Sequence, residues 1–188
     1  MDKVRTFICI ELPEKIRDDI AALQHAVKPM GRGVRWVQPR SIHLTFKFLG
    51  DVEQDQLNKV EKAVKEACNQ ISSFALQVNE AGAFPNFKSP RIYWTGFRSV
   101  PDMMLRLQSE IENELCKIGF AKEKRKFTPH LTIGRVKYGD GVKEVSHYLQ
   151  NNSFESGSFD VESVTIMKSE LSSAGAKYTP LAKIQLHS

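Results

Sequence analysis

These 188 residues predict a duplicated α+β chain arranged as two lobes. Three observations carry that expectation. The order strand, helix, strand, helix, strand can be read twice along the chain. The tetrads His43-Leu-Thr-Phe46 and His130-Leu-Thr-Ile133 fall at the same place in the two halves. No linker, composition shift or low-complexity run separates those halves, so residues 1–188 are expected to form a single bilobal domain.

The elements follow in order. Arg5-Thr-Phe-Ile-Cys-Ile-Glu-Leu12 is rich in apolar and β-branched residues and predicts a strand. Pro13, tolerated in a first helical turn, opens a helix through Lys28 with Ile16, Ile20, Leu23 and Val27 at helical spacing. A turn at Pro29 to Gly33 and a short apolar stretch at Val34 to Val37 lead to a strand at Ile42 to Leu49, closed by Gly50-Asp51. A helix is predicted from about Glu53 to Asn69, a strand at Phe74 to Val78 and a loop from Ala81 to Pro90. The second half reads as a strand at Arg91 to Phe97, a helix from Pro101 stopped by Gly119, and a strand at Thr128 to Val136. A short helix at Lys143 to Leu149, a strand at Ser158 to Met167 and a last strand at Lys177 to Leu186 complete it. Aligning the two histidines places Phe7 on Trp94 and brings Phe74 close to Phe159.

Hydrophobic residues make up 41% and charged residues 26%, as in an ordinary globular protein. No apolar run reaches the roughly 20 residues that span a bilayer, and no signal peptide is recognisable, so a cytoplasmic protein is expected. The three cysteines, Cys9, Cys68 and Cys116, are odd in number and show no paired spacing, which suits buried reduced thiols. The net charge of +5 favours an anionic partner such as RNA, DNA or a phosphate ester. The densest basic run, Lys122-Glu-Lys-Arg-Lys126, reads on its own as a solvated loop.

The tetrads carry the chemistry. Side chains alternate faces along a strand, so His43, Thr45 and Lys47 share one face while Ile42, Leu44, Phe46 and Phe48 share the other. In the second copy His130 and Thr132 oppose Leu131 and Ile133. Each strand then offers an imidazole beside a hydroxyl, and two pseudosymmetric copies can face each other across a cleft. Two opposed imidazoles suit the opening of a cyclic phosphate, in which a base activates water and an acid protonates the leaving ribose oxygen. The threonine hydroxyls can donate to non-bridging phosphate oxygens. Neither step requires a metal.

The paired tetrads resemble the 2H phosphoesterase superfamily, and within it the RNA 2′,3′-cyclic phosphodiesterases, also called 2′-5′ RNA ligases. The resemblance covers nearly the whole chain. It runs through Arg5-Thr-Phe-Ile-Cys-Ile-Glu-Leu-Pro13, His43-Leu-Thr-Phe-Lys-Phe-Leu-Gly50, Arg91-Ile-Tyr-Trp-Thr-Gly96, Thr128-Pro-His-Leu-Thr-Ile-Gly-Arg135, Ser169-Glu-Leu and Gly175-Ala-Lys-Tyr178. It implies antiparallel sheets flanking a central cleft, with helices outside. It implies His43 as the acid that protonates the 3′ oxygen, His130 as the base, a 2′-phosphate product, and Arg135 as a phosphate ligand beside Thr45 and Thr132. A guanidinium fork suits phosphate oxygens. Regular alternation, however, puts Arg135 on the face opposite His130. A bulge at Gly134 rotates it back into the cleft; a regular strand leaves it on the surface.

The partner implied is RNA with 2′,3′-cyclic phosphate ends, tRNA fragments among them, and the chain is expected to be a monomer. No P-loop or Gly-x-Gly-x-x-Gly follows a strand, so no nucleotide cofactor is expected. Metal ligation is not expected either, since two histidines fall short of a zinc site and no His-Glu-x-x-His or cysteine cluster supplements them. Three rival readings stay open: an RNA-binding module without catalysis, a zinc enzyme, and ligation or hydrolysis of 2′-5′ linkages. Lys47 either approaches a phosphate or is solvated. Phe7, Phe84 and Phe87 are candidates to stack on a base, although Phe7 sits in a strand and reads as core, and the other two flank Pro85 in the loop. His25, His147 and His187 read as surface residues.

Overall fold

The computed structural model describes residues 3–172 and 175–187. The first half runs β1 (Lys3–Glu11), α1 (Glu14–Val27), β2 (Val34–Trp36), β3 (His43–Glu53), α2 (Leu57–Cys68), β4 (Phe74–Gln77) and β5 (Glu80–Phe84). The second runs β6 (Ile92–Gly96), α3 (Asp102–Lys117), β7 (His130–Val136), α4 (Val142–Asn151), β8 (Ser158–Val161), β9 (Ser163–Ser172) and β10 (Gly175–Gln185). Pro13 and Pro101 stand at the N-caps of α1 and α3. Gly119 follows α3 with φ of 99°, a backbone that glycine adopts without a Cβ penalty.

Three elements differ from the sequence expectation. Gly50 does not close β3: it bends at φ 72° and the strand continues to Glu53, whose carboxylate pairs with Lys3 at 3.2 Å, so α2 begins only at Leu57. The segment read as a loop from Ala81 contains β5. Its small residues carry no strand pattern of their own, and the pairing is chosen by β6, because the Trp94 ring fills the space where a Cβ on Gly82 would stand, 2.1 Å away. The single strand read at Ser158 to Met167 is two strands in different sheets, parted at Glu162. One cysteine also differs. Cys9 and Cys68 are buried, but Cys116 is exposed because it falls on the outer face of α3.

The two four-stranded sheets have the orders β10-β9-β1-β3 and β2-β7-β6-β5, and all their pairings are antiparallel. Each sheet draws strands from both halves of the chain. The first joins β1 and β3 to β9 and β10 of the second half; the second joins β6 and β7 to β2 and β5 of the first. A third, two-stranded sheet takes β4 from one half and β8 from the other, with Phe74 opposite Val161 and Phe159 opposite Leu76. The duplication seen in the tetrads is therefore an exchange of strands between halves.

One apolar cluster lies under both large sheets. Ile8, Ile10, Leu44 and Phe46 of the first meet Tyr93, Leu131 and Ile133 of the second, together with the inward stripes of all four helices. No helix among the described residues is long and apolar enough to cross a membrane.

Candidate active site

The histidine strands β3 and β7 approach each other across the sheets, and both carry a bulge at the same place. Along β3 the partners on β1 jump from Thr45 (opposite Cys9) to Lys47 (opposite Ile8), which leaves Phe46 unpaired. Along β7 the partners on β6 jump from Thr132 (opposite Trp94) to Gly134 (opposite Tyr93), which leaves Ile133 unpaired. A single extra residue flips the side-chain alternation beyond it.

That flip decides two side chains. Arg135 lies opposite Ile92, on the same face as Trp94 and Gly96, the partners of Thr132 and His130. It is exposed on the cleft side, where Thr132 and His130 are half-buried. The unpaired residue is Ile133, one place before the glycine suggested by sequence. Gly134 still matters, since a Cβ there would stand 2.7 Å from a Val34 methyl. Lys47 moves the other way, so both sequence readings of it are corrected. It is neither a phosphate neighbour nor solvated, but turned inward to pair with Glu112 of α3 at 2.6 Å and to donate to the Ala121 carbonyl at 2.8 Å. Phe48 takes the cleft face in its stead, 68% exposed beside Phe7.

Each imidazole is held in the same way. His43 Nδ1 lies 2.9 Å from the Ser41 carbonyl, and His130 Nδ1 lies 2.8 Å from the Thr128 carbonyl. A carbonyl only accepts, so Nδ1 carries hydrogen and Nε2 of both rings is left for chemistry. The surroundings differ. His43 stacks on Phe7 with centroids 4.6 Å apart, and the edge of Tyr178 stands 5.0 Å away. Burial pushes its imidazole down to about 4, against the Ser41 carbonyl and the Glu11 carboxylate, which both favour the charged form. Glu11 is the cross-strand partner of His43 and accepts a 2.8 Å hydrogen bond from the Thr165 hydroxyl. His130 meets the edge of Phe84 at 5.0 Å, and Phe84 stacks on Trp94 at 5.2 Å.

The hydroxyls of Thr45 and Thr132 hydrogen-bond to no other described residue. Tyr178 links the two walls: burial holds its phenol above the usual range, while Arg135 from the opposite sheet and Arg5 from its own pull it down. Among the aromatic candidates, Phe7 is 1% exposed with one face covered by His43. Phe84 ends β5 rather than lying in a loop, and Phe87 packs on the core. His25, His147 and His187 are exposed. No group of three or more His, Cys, Asp or Glu among the described residues could hold a metal ion.

Reading the sequence missed Glu11, Tyr178 and Gln24. The buried side-chain amide of Gln24 on α1 donates to the Val37 carbonyl at 2.7 Å and to the carbonyl of the bulged Ile133 at 2.8 Å. Glu11 and Tyr178 stand within family-like runs that attach no role to them, and nothing local marks Gln24; strand register and helix docking bring the three to the site.

The family described as LigT like Phosphoesterase matches residues 10–94 and 98–178. A Methanothermobacter thermautotrophicus protein named RNA 2′,3′-cyclic phosphodiesterase is 36% identical over 98% of this chain and 100% of its own length. A Methanocaldococcus jannaschii protein of the same name is 31% identical, covering 93% of this chain and 96% of its own. Two crystal structures share the fold: TT0787 of Thermus thermophilus, at a TM-score of 0.82 and 25% identity over 97% of both chains, and apo LigT of E. coli, at 0.81 and 24% over the whole of both.

Proposed function

The chain belongs to the LigT-like phosphoesterase family, and on that premise we propose that it hydrolyses RNA 2′,3′-cyclic phosphate ends to 2′-phosphates, with His43 and His130 as a metal-independent acid/base pair. The observation that carries this reading is the shared tethering of the two imidazoles. Each Nδ1 is spent on a backbone carbonyl, which leaves each Nε2 free on a strand that also carries a threonine hydroxyl with no partner among the described residues. The names of the relatives, RNA 2′,3′-cyclic phosphodiesterase, support the substrate class.

The Thr45 and Thr132 hydroxyls and the Arg135 fork hold the non-bridging oxygens of the cyclic phosphate. His130 Nε2 takes a proton from water as the water oxygen bonds to phosphorus. The bond from phosphorus to O3′ breaks, and His43 Nε2 gives its proton to that oxygen. The product keeps its phosphate on O2′. Proton exchange with solvent then returns His130 to its neutral form, and His43 takes up its proton again once the next anionic substrate is bound.

Incubation with a short RNA ending in a 2′,3′-cyclic phosphate, in excess EDTA, tests the proposal. The expected result is a 2′-phosphate end with the wild type and a loss of at least about 10²-fold in rate with either His43→Ala or His130→Ala. Activity that vanishes in EDTA and returns with added metal would replace this reading with a metalloenzyme. RNA bound but never converted would leave a binding module.

A further inference from the structure

Arg35 stands beside Arg135. The two are direct cross-strand partners between β2 and β7 and share a face. Which face is fixed by their neighbours. Val34 is 6% exposed and Trp36 packs on the core, and both close on the bare Cα of Gly134. Arg35, between them, leaves on the opposite side, where the Ile133 bulge also sends Arg135. Both are exposed, and neither pairs with a carboxylate among the described residues. Like charges placed directly opposite in an antiparallel pair repel, so two uncompensated guanidinium groups at one register position weaken the strand pairing unless an anion joins them.

Their position says which anion. Along β7 the cleft face carries His130, then Thr132, then Arg135, and β2 lies outside β7 at the edge of the sheet. Arg35 is therefore the next cation outward from the catalytic pair. On the opposite wall Arg5 acts on the same Tyr178 phenol as Arg135, so this end of the cleft is basic on both sides. We propose that Arg35, next to Arg135, forms a second phosphate subsite that takes the phosphodiester joining the 3′-terminal nucleotide to the rest of the RNA. The inference rests on the cyclic-phosphodiesterase reading above and narrows its substrate to RNA chains over free cyclic mononucleotides.

The test compares two substrates, a nucleoside 2′,3′-cyclic monophosphate with no 5′-phosphate and a dinucleotide with the same cyclic end. With wild type, KM for the dinucleotide is lower. In Arg35→Gln it rises about tenfold, and the slope of log KM against log salt falls by about one. The mononucleotide's kcat/KM stays within about twofold, and kcat is unchanged for both. Arg35→Lys keeps the charge without the fork and lies between. Equal effects of Arg35→Gln on both substrates, or a wild type that does not prefer the dinucleotide, overturn the subsite while leaving the cyclic-phosphodiesterase reading intact. No turnover of either substrate by wild type refutes that reading, and the subsite with it.

Discussion

His43 lies flat on Phe7, 4.6 Å between ring centroids and inclined by 26°. The stack explains why a strand residue with an apolar side chain occupies the cleft face: it is the wall against which the imidazole is set. It also has an electrostatic consequence. Burial holds His43 at about 4, well below the usual 6.5, so the free protein carries it neutral at neutral pH. An anionic phosphate beside Nε2 favours the imidazolium, so in the proposed mechanism substrate itself loads the acid. NMR titration of the free protein is expected to place the His43 midpoint near 4 and to show it move toward neutrality with a 2′-phosphorylated nucleotide bound. A midpoint that ignores the ligand takes the acid role from His43. Stability follows the same group. Between about pH 4 and 6.5 the unfolded chain binds a proton that folded His43 refuses, so its contribution erodes the fold as pH falls through that window, and His43→Gln flattens the dependence.

The Ile133 bulge aims Arg135, and Gln24 holds the bulge by donating to the Ile133 carbonyl at 2.8 Å. Gln24→Leu removes both amide bonds from a buried position, at a cost of about 1–3 kcal/mol. It also frees the strand to regularise, which turns Arg135 outward. The expected kinetic result is a rise in KM of about tenfold or more with a smaller change in kcat, because the proposed role of Arg135 is to bind phosphate rather than to move a proton. A variant as destabilised as expected but with unchanged KM would show that the bulge persists without Gln24.

The bulges mark where sequence reading stopped. Alternation placed His43, Thr45, His130 and Thr132 correctly because each pair precedes its bulge. The run His43-Leu-Thr-Phe-Lys-Phe-Leu-Gly50 looks equally regular beyond it, yet Lys47 and Phe48 exchange faces. A bulge is set by the neighbouring strand, and no local residue pattern announces it. The same reason hid β5, whose Ala81-Gly82-Ala83 became a strand only by lying against Trp94. Helices were easier, since each carries its own apolar stripe, and α1, α3 and α4 also have a proline or glycine at one end; α2 has neither, and its start was the one misplaced.

Lys47 and Glu112 form an ion pair with both side chains less than 10% exposed, at 7% and 9%. Glu112 also accepts from the Glu123 amide at 3.1 Å, so the pair anchors the basic loop that leads into β7. Removing one partner leaves the other charged and buried. Lys47→Met is therefore expected to cost about 3–5 kcal/mol, whereas Lys47→Met with Glu112→Leu recovers much of that loss. Urea unfolding of the two variants and wild type measures the difference. A double variant no better than the single would mean that anchoring the loop matters more than the buried charge.

Each large sheet contains strands from both halves, and β4 and β8 pair across them. Neither half can close its own sheets: without β9 and β10 the first loses half of one sheet, and without β2 and β5 the second loses half of the other. The core cluster beneath them is continuous as well. The chain is thus expected to unfold as one unit, with a calorimetric enthalpy equal to the van't Hoff enthalpy. Fluorescence from Trp36 and Trp94, which both report the second sheet, should follow the same transition as far-ultraviolet circular dichroism of the whole chain. Two separated transitions would mean that one lobe stands alone, and that the exchanged strands dock onto a sheet already formed.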